Sequence, residues 1–200
     1  MKQAAVCGVL GLLLALHGCS SAPDMVIDSF EGPLTIETMD YGAGGGATLQ
    51  VSAATDQKVD AEQSLKLDYD LSGGGYLWAA RGYKLDVAGA ARWLVAPEKI
   101  HWSGFKGVSL QMFGTNSGGK VAFDIKDSGS EMWRFVLEDN FSGWNNILIP
   151  FEEFFPRSDW QPQNADRNNK LDFPVMSFQF EPRRPDKGTY YFDRVALVRK

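Results

Sequence analysis

The chain has 200 residues, enough for one domain with a real core, and a formal net charge of −5, which excludes a nucleic-acid partner because phosphate recognition needs a basic surface. Its 2 cysteines and 2 histidines leave no room for a disulfide framework or a multi-histidine zinc centre. Aromatics at 12%, with 21 glycines and 9 prolines, describe a ring-rich, turn-rich β protein rather than a helical one.

In chain order, residues 1–18 read as a leader. Lys2 supplies a positive end and residues 9–16 an apolar run too short to span a bilayer. Leu16-His17-Gly18-Cys19 is similar to a bacterial lipobox, with the histidine an unusual occupant. That resemblance implies cleavage before Cys19, a lipid on Cys19 and, with Ser20 next, an outer-membrane location. An ordinary secretory leader followed by a free cysteine is the open alternative. Residues 19–24 would form a tether and 25–200 one domain without cysteine, since Cys7 lies in the leader.

Residues 25–32 open the domain as a short strand, and 34–41 read as a second. Residues 42–46 hold three consecutive glycines and read as a loop; no Gly-Lys-Ser/Thr makes it a phosphate loop. Leu65-Lys66-Leu67-Asp68-Tyr69-Asp70-Leu71 alternates apolar and charged, the mark of a half-buried strand. A glycine turn leads back along 76–85, so a hairpin is expected. Residues 87–97 are Ala-rich and give no firm reading. Further strands are expected at 108–112, 121–126, 131–138, 144–151, 176–180 and 190–198. About ten alternating strands and no helix predict an antiparallel β-sandwich or jelly roll and exclude a parallel α/β sheet.

Alternation divides the faces. Val121, Phe123, Ile125, Trp133, Phe135, Leu137, Phe178 and Phe180 are expected inside, and Gln111, Asp124, Arg134 and Gln179 outside. The outer set is either a solvated face, with Asp124 and Arg134 as a weak cross-strand pair, or the floor of a polar groove. Trp102, Trp133 and Trp144 are expected in the core. Tyr41, Tyr76 and Trp160 sit beside loops, where a ring can stack on a sugar and stay partly wet. The Pro-bounded stretch 152–163 places Arg157, Asp159 and Trp160 within four residues: a cation, an anion and a flat ring.

These motifs, over about residues 25–198, resemble the family 11 carbohydrate-binding modules, β-jelly rolls of bacterial β-glucan-degrading systems. Asp28-Ser29-Phe30-Glu31-Gly32 is similar to the family's Asp-Asp-Phe-Glu-Gly opening. His101-Trp102-Ser103-Gly104-Phe105, the 144–151 strand ending Ile-Pro-Phe, and Tyr191-Phe192-Asp193-Arg194-Val195 follow in the family's order. Arg157-Ser158-Asp159-Trp160-Gln161-Pro162 resembles its Arg-x-Asp-Tyr-Gln-Pro glucan-contacting loop. The resemblance implies Arg157 and Asp159 as hydrogen-bonding partners of sugar hydroxyls, with Trp160 and Tyr76 as stacking rings. It also implies Tyr41, Glu131 and Phe180 as further contacts, Phe180 departing from a family Tyr; Gln179 is a candidate contact from its outward place on the sheet. A structural calcium ion is implied as well, with Glu31 and Asp193 as oxygen ligands; the alternative is surface acids beside strands.

For catalysis the inventory is thin. His101 is the one histidine outside the leader, next to an expected core Trp. A glycosidase needs two carboxyl groups about 5–9 Å apart, and the spacing of Glu138, Glu152 and Glu153 selects no pair. The expected function is therefore non-catalytic binding of a polysaccharide, most simply mixed-linkage or β-1,4 glucan, at a lipid-anchored domain. Two alternatives stay open: an envelope assembly protein whose jelly roll is related to the complex I intermediate-associated family, and a small β-glycosidase.

Overall fold

The computed structural model describes residues 23–59 and 61–200. The leader and the lipobox with Cys19 lie outside the described residues. Twelve strands follow in chain order: β1 (Met25–Asp28), β2 (Asp40–Gly44), β3 (Thr48–Ala54), β4 (Ser64–Asp70), β5 (Tyr76–Gly82), β6 (Phe105–Thr115), β7 (Lys120–Lys126), β8 (Met132–Glu138), β9 (Ser142–Pro150), β10 (Phe155–Pro156), β11 (Ser177–Arg184) and β12 (Lys187–Arg199). The helical elements among the described residues are short 3-10 turns.

The strands build two six-stranded antiparallel sheets, the expected β-sandwich of jelly-roll type. The first runs β3-β4-β12-β6-β9, with β1 also paired to β12; the second runs β10-β8-β7-β11-β5-β2. Each strand sends alternate side chains inward, and the inner faces bury a phenylalanine-rich core of Phe30, Phe123, Phe178, Phe180 and Phe192. Phe180 of β11 stacks on Phe192 of β12, ring centres 4.0 Å apart and 17° from parallel, joining the two sheets. One ion pair crosses the same interior. Arg81 Nε donates to Asp28 Oδ2 at 3.0 Å and Nη2 to Oδ1 at 3.2 Å, both residues fully buried. Burial raises the Asp28 carboxyl to about 6, against the pull of Arg81 and of the Phe30 amide.

Several local expectations change. Residues 34–41 are not a strand: the amides of Thr38 and Met39 turn back onto the Thr35 carbonyl, and β2 starts only at Asp40. The glycine stretch expected as a loop is largely strand, pairing β2 with β5 from Asp40 through Gly44. Strand β3 was not anticipated. Residues 87–97 carry 3-10 turns and bring Trp93 onto Phe178, ring centres 5.9 Å apart. Trp102 and Trp133 are buried as expected, but Trp144 is not core. It pairs in register with Phe113, which alternates out from Met112, and the two rings meet edge to face on the first sheet's outer surface.

Candidate functional site

One line of register partners crosses the whole outer face of the second sheet: Asp40, Ala80, Gln179, Asp124, Arg134 and Phe155. Five strand spacings make that line about 24 Å long. Its in-register neighbours on the inner face are Ala79, Phe180 and Phe123, so parity alone turns these six outward. Ala80 and Ala122 keep the floor low between the larger groups.

A charged centre occupies the β7-β8-β11 part of this face. Arg134 holds Asp124 bidentately, Nε to Oδ1 at 2.7 Å and Nη2 to Oδ2 at 2.9 Å. It also contacts Glu181 and reaches Asp159 at 3.4 Å. Arg157 comes down from the loop after β10, 3.1 Å from Asp124, 2.8 Å from Asp159 and 3.2 Å from Glu181. Arg183 adds a contact to Glu181 at 2.8 Å. Guanidiniums and carboxylates therefore alternate, so the centre is close to neutral and its hydrogen-bonding atoms are fixed in place. Burial works against the Arg134 charge, but Asp124, Glu181 and Asp159 outweigh it and hold the guanidinium above its ordinary value. Burial likewise lifts Asp159, yet the Arg157 hydrogen bond and the charges of Arg157 and Arg134 bring its carboxyl down to about 2.

The loop is pinned to the first residue of β8. The Arg157 amide donates to the Met132 carbonyl at 2.8 Å. Gln161 Nε2 donates to the carbonyls of Met132 at 2.9 Å and Arg157 at 2.8 Å, and its Oε1 accepts the Met132 amide at 2.7 Å. This clamp presents Trp160, 53% exposed, with the Arg157 guanidinium 5.4 Å from its ring centre.

The β5-β2 end is aromatic. Tyr76, 60% exposed, and Trp78 are two residues apart on β5 and share the outer face. Their ring centres lie 6.1 Å apart and their planes are 18° from parallel. Both reach over β2, where a Cβ on Gly42 would come within 2.6 Å of the Trp78 ring and one on Gly44 within 2.7 Å of the Tyr76 hydroxyl. Trp78 Nε1 donates to Asp40 Oδ1 at 2.9 Å, fixing the indole in that seat.

Of the residues expected to bind, Arg157, Asp159, Trp160, Gln179 and Tyr76 are brought to this one face. Three others are elsewhere. Phe180 is fully buried and stacked on Phe192, because it has the opposite parity to Gln179. Tyr41 pairs with Ala79 on the inner side and packs against the core. Glu131 is buried where its Oε2 accepts the Asn169 amide at 3.2 Å, and burial raises its carboxyl. Gln111 belongs to the other sheet and reaches Asn146 at 3.4 Å, so it is no part of this floor. His101 is exposed, ahead of a 3-10 turn. Sequence reasoning missed Trp78, Glu181 and Arg183. Trp78 and Glu181 were within its reach, sharing parity with Tyr76 and Gln179.

Glu31 and Asp193 lie at another corner, bonded to Val59, Glu62 and Gln63. Glu31 Oε1 accepts the amides of Glu62 and Gln63, each at 3.2 Å, and Asp193 Oδ2 accepts the Val59 amide at 2.9 Å. Gln63 Nε2 donates at 2.7 Å to both the Phe30 and the Gly32 carbonyl. Two carboxylate oxygens there, Glu31 Oε1 and Asp193 Oδ2, accept protein N–H groups, and among the described residues no three His, Cys, Asp or Glu side chains gather as a metal cage.

The fold has counterparts. A family 11 carbohydrate-binding module from Clostridium thermocellum, in complex with a β-1,3-1,4-mixed-linked tetrasaccharide, is similar at 22% identity and a TM-score of 0.67, covering 90% of this chain and 97% of that one. The family 11 module of a cellulosomal cellulase of the same organism is similar at 20% identity and a TM-score of 0.65, with 90% and 97% covered. A mannan endo-1,4-β-mannosidase of Bifidobacterium adolescentis is 23% identical over 152 residues, 76% of this chain; the chain spans only 14% of that relative's length. The model of a carbohydrate-binding domain, family 11, matches residues 17–200, so the chain belongs to carbohydrate-binding family 11 and is a carbohydrate-binding protein.

Proposed function

We propose that the outer face of the second sheet binds β-glucan, as mixed-linkage β-1,3-1,4 or β-1,4 chains, without cleaving it. One observation carries this reading: exposed Trp160 sits beside the fixed Arg157–Asp159 pair on the same face as Tyr76. Pyranose rings offer C–H groups on their faces and hydroxyls on their edges, so they need flat rings beside rigid donors and acceptors. Arg157 supplies N–H donors to sugar hydroxyls and Asp159 supplies acceptors. Gln179, halfway across, has an amide that can do both.

Glycoside hydrolysis needs one carboxyl protonated as a general acid and a second working across the bond. Against the effect of burial, Arg157 and Arg134 hold Asp159 below its ordinary value, in the carboxylate form. Burial raises Asp124, but its side chain has no exposed surface and both its oxygens are taken by Arg134 and Arg157, so it does not reach a scissile bond.

Attachment at Cys19 to the outer membrane belongs to the same proposal and is supported by the lipobox-like Leu16-His17-Gly18-Cys19. The glycan test is affinity electrophoresis in gels containing mixed-linkage β-glucan, xylan or no polysaccharide. Retardation by β-glucan that disappears in Trp160→Ala supports the reading. Unchanged mobility of the folded protein across the panel would overturn it and favour an envelope assembly role. Failure of Cys19→Ser to abolish labelled palmitate incorporation would overturn the anchor.

A further inference from the structure

Tyr76 alone offers a sugar one ring. The β5-β2 end offers two, and the neighbouring strand is shaped to hold them flat. Gly42 and Gly44 alternate with Tyr41 and Ala43, so both lie under the outer face. They pair in register with Trp78 and Tyr76 respectively, and a methyl group at either would collide with the ring above it. The glycines are a seat, and the rings fill the space where β-carbons would stand. Asp40 holds the indole from its edge. The result is a two-ring platform over β2, 6.1 Å between centres and with ring planes 18° from parallel, one broad face against β2 and the other turned away from the sheet.

We propose that Trp78 is a second stacking residue of the glycan site, and that the Tyr76–Trp78 platform reads linkage: it takes two consecutive β-1,4-linked pyranose units. This rests on the β-glucan reading above. In a β-1,4 chain every linkage is equatorial and successive rings alternate by a half-turn, so the chain is a flat ribbon with its C–H faces in one plane. Two near-parallel aromatic rings lying side by side over one strand match two such faces at once. A β-1,3 linkage bends the chain, so when one ring of the pair is seated its neighbour leaves the plane. A mixed-linkage chain would therefore seat a β-1,4 run on the platform and place its bend elsewhere, while a pure β-1,3 chain would seat one ring only.

The test is calorimetric titration of the chain with cellohexaose and with laminarihexaose, for the parent protein and for Trp78→Ala, Trp78→Phe and Gly42→Ala. The parent should bind cellohexaose and bind laminarihexaose at least about tenfold more weakly, the worth of one lost stack. Trp78→Ala should lower cellohexaose affinity by about tenfold or more, with Trp78→Phe between it and the parent. Gly42→Ala removes no ring yet should weaken cellohexaose binding, because it lifts the indole off its seat; loss of the Trp78 indole N–H shift in NMR reports that displacement. Parent binding of cellohexaose left intact by both Trp78→Ala and Gly42→Ala would overturn the platform and leave the glucan reading standing. Equal affinity for the two hexaoses would overturn the linkage reading. Parent binding of neither would overturn both.

Discussion

Replacing Arg134 by methionine tests whether the charged centre is a rigid unit or a set of loose surface pairs. Arg134 is buried beneath the loop and holds three carboxylates; Asp124, its bidentate partner, has no exposed surface at all. Exposed pairs contribute about 0–1 kcal/mol, whereas removing one partner of a buried pair costs about 3–5 kcal/mol, because the remaining charge is left in a low-dielectric site. Arg157 still touches Asp124 at 3.1 Å, so the charge is not wholly abandoned and the lower part of the range applies. A loss of about 3 kcal/mol in a chain of this size lowers the melting temperature by about 6–12 °C. The assay is urea denaturation with calorimetric melting of Arg134→Met, Asp124→Leu and the double variant. The double variant should recover much of the loss, since removing both charges leaves neither unpaired. A loss under about 1 kcal/mol, or strictly additive single effects, would refute the reasoning and make the centre a solvated ion cluster.

Phe180→Ala should destabilise the fold by about 3–5 kcal/mol and leave the affinity of the folded fraction unchanged; a selective loss of glycan binding in calorimetry would return Phe180 to the site. Chelation by EDTA should not shift the melting temperature, because Gln63 already serves the Phe30 and Gly32 carbonyls; a fall would show a cation displacing that amide. The Asp159 carboxyl lies below its usual 3.8, at about 2, so the fold favours its ionised form. Its contribution is complete above 3.8 and is lost as pH falls through about 2. NMR titration of the Asp159 carboxyl should therefore show its midpoint near 2, and a midpoint at 3.8 would mean that Arg157 is not held against it in solution.

Alternation made much of the sandwich legible. Strands β4, β7 and β8 each carry a run of inward apolar residues spaced by two, and burial against a core imposes that spacing. Strand β3 was hidden because it is an edge strand with only Val51 and Ala54 buried, so it has almost no periodic signal. The 157–161 loop was legible from local chemistry, since Arg157, Asp159 and Trp160 are close in sequence and Gln161 clamps them within five residues. Alternation put Phe180 inside, where it lies, and only the family resemblance made it a contact; Tyr41, read as a ring beside a loop, is on the inner side of β2. Each is a single residue out of phase with the outer face, and in a strand one residue is the difference between groove and core.

The glycines of β2 show where a one-dimensional reading stops. Taken alone, residues 42–46 are a flexible turn, and nothing local says otherwise. The reason for Gly42 and Gly44 lies more than thirty residues away, on a strand whose Trp78 and Tyr76 need flat ground. The same holds for the charged centre: Asp124 and Arg134 were visible as a cross-strand pair, but Glu181 arrives from β11 and Arg157 from the loop, and only the sheet order brings them together. A lone pair on a solvated face contributes little. Enclosed by four further charged groups and roofed by a clamped loop, it becomes a fixed array of donors and acceptors. In the function proposed above, that array, set between an exposed Trp160 and the Tyr76–Trp78 platform, is what fits an otherwise ordinary sheet face to a polyhydroxylated chain.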